Sequence, residues 1–209
     1  MIKVYGFPNS RSLRITWLLE ELGLDYAYQL IDFSKGDNRS PAFLAINPCG
    51  KVPVIEDDAL VMFESAAIVS YLADKYSDST LIPVGGSTQR GLFEQWSYFA
   101  ACELEQPLWT IGKHKFALPA DQRVKEIFPT AAWEFQKALA LLSQGLGDQE
   151  YMLGDQFSAV DILIAHTLNW GVKFGQPVEQ DNLNAYLKRV ISRPAMAKAL
   201  ARETAALQG

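Results

Sequence analysis

The feature that most constrains the fold is a Val-Pro step inside an apolar run, Asn47-Pro48-Cys49-Gly50-Lys51-Val52-Pro53-Val54-Ile55, followed by Leu60-Val61-Met62-Phe63-Glu64-Ser65. The proline pushes Val52 into extended backbone, and Pro53 has no N–H to offer a central strand. A strand therefore starts late, at a step where proline makes a cis bond accessible, and the N–H and C=O of Val52 are left for another partner. Glu64-Ser65 then opens an apolar helix. Free N–H groups and the dipole at that mouth favour an anion, while the Glu64 carboxylate favours an amine. Together they suit a small zwitterion with an extended peptide backbone. Each part alone has a plainer explanation, an edge-strand proline and a helix cap; their succession points to a ligand.

The chain has 209 residues, enough for one large or two small domains. A formal net charge of −5 argues against nucleic acid or an anionic membrane as partner. Two cysteines, Cys49 and Cys102, make no disulfide framework, so a reducing, cytoplasmic setting is expected. The start, Met1-Ile2-Lys3-Val4-Tyr5, has a strand pattern rather than a secretory one. The longest apolar stretches are broken by Glu20, Asp161 or His166, so no membrane span is expected. With no phosphate loop, no G-x-G-x-x-G and no G-x-S-x-G, the usual signals for nucleotide cofactors and serine hydrolases are missing. His114 and His166 are isolated and no metal cluster is readable.

Taken in order, residues 2–6 read as a strand, Phe7-Pro8-Asn9-Ser10 as a turn, and Arg11 onward as a helix stopped by Gly23. A strand over 25–33 follows, then a short helix capped by Ser40 with Pro41 at its first position. Strands at 52–56 and 60–63 flank the turn Asp57-Asp58, and a helix runs over 65–76. The order β-α-β-α-β-β-α predicts a mixed four-strand sheet, its last two strands a hairpin. The expected organisation is an α/β domain over 1–77, a linker over 78–88 and an all-helical domain over 89–209. Its helices are predicted at 89–117, with a possible kink at Pro107, at 122–144, after Ser158, and near 181–191 and 194–206. Cys102 reads as packed apolar surface, and Ser158 with Asp161 as a capping box before a buried helix.

Asn47-Pro48-x-Gly50-Lys51-Val52-Pro53, then Glu64-Ser65, then Ser158-x-x-Asp161, resembles the cytosolic glutathione transferase family over essentially the whole chain. The resemblance implies a thioredoxin-like first domain, an all-helical second domain, a homodimer, and a detoxification role with glutathione as co-substrate and no other cofactor. It puts the family's cis-proline on Pro53, the backbone partner of the cysteinyl part of glutathione on Val52, the γ-glutamyl site on Glu64 and Ser65, and the glycyl contact on Lys51.

The family's catalytic Ser, Cys or Tyr falls just after the first strand, and Ser10 is the match in the serine and cysteine classes. A hydroxyl there can donate to the glutathione sulfur, and the helix end adds partial positive charge. Lowering a thiol pKa by about two units needs only about 2.7 kcal/mol, within reach of one charge-assisted hydrogen bond plus a helix end. Ser12 competes but suits a structural cap; Tyr5 lies inside the strand; Asn9 is a further candidate, because some bacterial relatives use an Asn or Thr there and act on disulfides. The expected reaction is attack of the glutathione thiolate on a hydrophobic electrophile. The acceptor pocket is expected between the domains, with Phe7, Trp109, Phe116 and Trp170 as walls. A glutathione-dependent disulfide reductase or peroxidase, and a non-catalytic ligand-binding or regulatory protein of the same fold, stand as alternatives.

Overall fold

A computed structural model describes residues 1–78 and 80–208. Ser79, inside the expected linker, and Gly209, at the end of the expected helical domain, lie outside the described residues. By contact the chain divides into two compact units. Residues Met1–Ile82 and the segment from Ser192 onward make one; Pro83–Ile191 make the other.

The first unit is built on a four-stranded mixed sheet, β1 (Ile2–Gly6), β2 (Tyr26–Leu30), β3 (Val54–Asp57) and β4 (Leu60–Phe63), in the order β2-β1-β3-β4. β1 pairs β2 in parallel, while β1–β3 and β3–β4 are antiparallel. The predicted order of elements is observed. β2 is shorter than expected because its ladder ends with Ile31 N–H on Gly6 O, at the end of β1, and Asp32 then accepts from Ser34 N–H in a turn. β3 begins at Val54, just past the proline that cannot donate to the ladder.

Helices α1 (Ser12–Leu22), α2 (Pro41–Ile46) and α3 (Ser65–Tyr76) complete the expected pattern. Gly23 closes α1 with φ 64°, a left-handed conformation cheap only for glycine. Ser40 Oγ accepts from Phe43 N–H at the start of α2. Val4, Ile15, Leu18, Ile55, Ile68 and Leu72 are fully buried in this unit. The last helix, α9 (Pro194–Ala205), packs on α1 and groups with this unit, whereas sequence alone had put it with the helices before it.

The second unit contains α4 (Thr88–Phe99), α5 (Glu105–Gly112), α6 (Phe128–Leu146), α7 (Ala159–Lys173) and α8 (Asp181–Ile191). The single helix expected over 89–117 is interrupted by wide, π-type turns at Ala100–Leu104 and Lys113–Ala117. Pro107 has no N–H for the carbonyl of Glu103, four residues back, and the ladder loosens there. α6 starts at Phe128 rather than 122. Arg123 and Val124 are extended, and Pro129 in the first turn sets the true beginning. Cys102 falls in the first wide turn and is exposed, contrary to the packed position expected for it; the extra residue in that turn rotates the helix face.

α7 is the buried centre, with Val160, Ile162, Ile164, Ala165 and Leu168 shielded from solvent. At its start Asp161 Oδ2 accepts from Ser158 N–H at 2.8 Å and Ser158 Oγ at 3.0 Å, while Oδ1 accepts from Met152 N–H at 2.9 Å and Tyr186 O–H at 2.8 Å. The expected capping box is thus also the hub of a buried network joining α7 to α8. Among the described residues no helix is long and apolar enough to cross a membrane.

Candidate active site

The turn after β1 delivers a hydroxyl pair to the start of α1. Ser10 N–H donates to Phe7 O at 3.2 Å, and Asn9, exposed between them, takes φ 60°. Ser10 Oγ accepts from Ser12 N–H at 3.1 Å and lies 2.8 Å from Ser12 Oγ, which itself accepts from Phe7 N–H at 3.1 Å. With Ser12 as donor within the pair, Ser10 Oγ accepts two hydrogen bonds, and that polarises its own O–H for donation. Gly6 permits the close approach. A Cβ there would sit 2.8 Å from Ser12 Cβ and 2.7 Å from the Tyr28 hydroxyl.

One turn further on, Arg14 is buried and its Nη1 donates to Ser65 Oγ at 3.0 Å. Ser65 is the first residue of α3, and Glu64 immediately before it is exposed with φ 72°. A guanidinium, a helix N-terminus and an exposed carboxylate therefore meet at this mouth. The first two favour an anion and the third an ammonium group.

The Val-Pro turn is held by side chains. Asn47 Oδ1 accepts from Cys49 N–H at 3.1 Å and Asn47 Nδ2 donates to Lys51 O at 2.8 Å. Gly50 has φ 61°, and a Cβ on it would come within 2.8 Å of Asn38 O, so no other residue fits. The Val52–Pro53 bond is cis. Among the described residues no hydrogen bond reaches the Val52 backbone. Lys51 is exposed and Pro53 buried.

The remaining candidates are dispersed. The Tyr5 hydroxyl donates to Glu56 Oε1 at 2.8 Å and its ring packs with Phe43 in the core beneath Val52. Phe7 lies in the first unit, 5.0 Å from the Phe33 ring. Trp109, Phe116 and Trp170 lie in the second. Phe174 meets Trp170 at 5.4 Å and Phe116 at 6.3 Å, and a Cβ on Gly112 would touch Trp109, Phe116 and Phe174 alike. His114 Nδ1 accepts from Val124 N–H, tying down the loop before α6, and His166 is buried in α7. Cys49 is an exposed turn residue. Among the described residues no group of His, Cys, Asp and Glu could hold a metal ion.

One participant, Arg14, belongs to no sequence motif, and another, Ser12, has a second role. The signal for Arg14 is its place inside Leu13-Arg14-Ile15-Thr16-Trp17-Leu18-Leu19, where a charge must find a partner when that run is buried. Ser12, read as a cap, buttresses Ser10 as well.

Comparison with known proteins identifies the family. Residues 1–74 match the model of the glutathione S-transferase N-terminal domain, and residues 103–194 that of the C-terminal domain. Glutathione S-transferase hmp2 of Hypomyces subiculosus is 39% identical over 171 residues, 78% of each chain. Glutathione S-transferase GstB of Escherichia coli is 31% identical over 205 residues, 95% of this chain and 97% of that one. Among solved structures, the glutathione transferase URE2P6 from Phanerochaete chrysosporium, in complex with oxidized glutathione, superposes with a TM-score of 0.86 at 26% identity, covering 98% of this chain and 97% of that one. A family member from Pseudomonas fluorescens with two glutathione bound gives 0.83 at 25% identity, covering 95% and 92%. With both halves of the fold matched and GstB aligned over 95% of the chain, the protein belongs to the glutathione S-transferase family.

Proposed function

We propose that the protein binds glutathione along Lys51, Val52 and Pro53, holds its γ-glutamyl end at Glu64 and Ser65, and activates its thiol at Ser10 for attack on a hydrophobic electrophile. The observation that carries this reading is that α1 begins at the Ser10–Ser12 hydroxyl pair, with Ser10 in the turn just before it, and bears Arg14, which is bonded to Ser65. The amino-acid end of the ligand would meet Glu64 through its ammonium and the α3 N-terminus through its carboxylate. The peptide part would pair with the Val52 backbone, and the Lys51 ammonium would reach the glycyl carboxylate. At Ser10 the O–H donates to the sulfur and the α1 N-terminus contributes positive potential; both stabilise thiolate over thiol. The thiol proton leaves to solvent, and the thiolate forms the new bond to carbon as the leaving group departs or the acceptor double bond takes up the charge. Within the second unit, Trp109, Phe116 and Trp170 are proposed as apolar surface for the acceptor, and within the first unit Phe7 is proposed separately for the same role.

A second reading, reduction of disulfides through Asn9 or Ser10, is favoured by two observations. Asn9 is held exposed at φ 60° directly beside Ser10, and similar solved structures carry oxidized glutathione or two glutathione molecules. Conjugation of an aromatic electrophile, assayed beside reduction of a small disulfide, separates the two. Turnover of the first only supports the transferase; turnover of the second only supports the reductase. Turnover of neither, with glutathione bound, leaves a ligand-binding protein. We further propose a homodimer, because α4 and β4 expose Leu92, Tyr98, Val61 and Phe63. A light-scattering mass near 23.3 kDa at micromolar concentration would overturn it. The two free cysteines suit a reducing cytoplasm.

A further inference from the structure

We propose that Glu203 is a positioning residue: as a neutral acid it lets α9 lock onto α1 beside Thr16, one turn behind the hydroxyl pair of Ser10 and Ser12, and loss of its proton, by leaving a buried charge, weakens that docking. Thr16 Oγ1 donates to Glu203 Oε1 at 3.0 Å, and both residues are buried. Glu203 Oε2 and the Tyr28 hydroxyl are also buried, and neither finds a hydrogen-bond partner among the described residues. The Tyr28 hydroxyl is the one that crowds Gly6 in front of Ser12.

The charges around Glu203 do not neutralise it. On α1, Glu21 is taken by Arg193, with two bonds of 2.7 Å, and Glu20 by Tyr26 O–H and Arg202. Arg202 also donates to Tyr26 O at 3.0 Å and lies over the Tyr26 ring. Tyr26 and Tyr28 on β2 add only neutral hydroxyls, since burial keeps both well above the usual tyrosine range. Among the described residues no cation pairs with Glu203, and a carboxylate there would be buried with one hydrogen bond. Burial accordingly pushes the acid up from 4.5 to about 8, the Thr16 bond pulling the other way.

The sign follows from linkage. The docked form keeps its proton to about pH 8, whereas an undocked, solvated Glu203 releases it near 4.5. The ratio of docked to undocked α9 therefore falls about tenfold per pH unit between those values and levels off above. The consequence for catalysis rests on the role proposed for Ser10; the lock itself does not.

The experiment is hydrogen exchange by mass spectrometry on the whole, ligand-free protein from pH 5 to 9, corrected for intrinsic rate. Protection in peptides covering α9 and the start of α1 should fall about tenfold per pH unit up to pH 7.5 and flatten above 8. Glu203→Gln should make both segments independent of pH. An equal slope in that variant, or flattening in α9 but not at the start of α1, overturns the proposal. Thr16→Val covers the case in which Glu203→Gln does not fold. Losing the bond that holds the acid down should move the plateau to higher pH, and an unmoved plateau overturns the proposal. Because glutathione is absent, conjugation unaffected by Ser10→Ala would remove the Ser10 reading without touching this result.

Discussion

The Arg14 guanidinium donates to Ser65 Oγ at 3.0 Å in the interior of the first unit, tying the beginning of α1 to the beginning of α3 across 51 positions of sequence. The bond joins the helix that presents Ser10 to the helix mouth that presents Glu64. Replacing Arg14 by Met keeps most of the volume and removes the charge. Stability should drop by about 1.5–3 kcal/mol, the range for a hydrogen bond to a charged group, read as a shift in urea midpoint. Glutathione affinity by calorimetry should fall as well. A variant with native affinity would separate Arg14 from the site.

Glu64 combines an exposed carboxylate with φ 72° and ψ 107°, a conformation that side chains rarely adopt. Glu64→Gly should therefore act in opposite directions. Folding stability should rise by about 1 kcal/mol through relieved strain, while glutathione binding weakens by about 1.5–3 kcal/mol through the lost charged hydrogen bond. Unchanged affinity would remove Glu64 from the ligand site.

Ser10→Ala should raise the pKa of the bound thiol, read from thiolate absorbance, toward about 8.5. Conjugation at neutral pH should slow more than glutathione affinity weakens. Ser12→Ala should shift the thiol in the same direction by a smaller amount, because Ser10 loses one of its donors. It should also cost about 1 kcal/mol of stability as Phe7 N–H loses its acceptor. If both variants keep the wild-type titration while Asn9→Ala or Tyr5→Phe abolishes it, the thiol is activated elsewhere.

Asp161 accepts four hydrogen bonds inside the second unit, although burial still pushes its acid upward. Asp161→Ala leaves Met152 N–H and Tyr186 O–H without acceptors in the interior, so it should cost about 3 kcal/mol or more, beyond the loss of a cap alone. Denaturant unfolding gives the number. Activity per folded molecule should be nearly unchanged, and selective loss of catalysis would place Asp161 in the site.

Asp57 provides an acid limb. Burial works against its carboxylate, but hydrogen bonds from Lys75, Tyr71 and Tyr76 outweigh it and hold the acid below its usual value of 3.8. The unfolded chain takes up this proton first, so the stabilisation is present above about pH 4 and is lost as pH falls through the lower folded value. Asp57→Asn should be less stable at pH 7 and show a shallower decline below pH 4 in urea midpoint. A parallel decline would assign the acid limb to other groups.

The order of strands and helices was legible in the sequence because local rules dictate it. Gly23 ends α1, Ser40 and Pro41 start α2, and Pro53 delays β3, each through the backbone of its own few residues. The turn from Asn47 to Pro53 and the mouth at Glu64-Ser65 were legible for the same reason. What only the tertiary structure decided is which distant groups meet. Arg14 finds Ser65, Tyr5 finds Glu56, and Thr16 finds Glu203 across 187 positions. Local propensity carries no information about such pairs. They are selected when burial removes water as the competing partner, so that each enclosed polar group must bond whatever the fold has placed beside it.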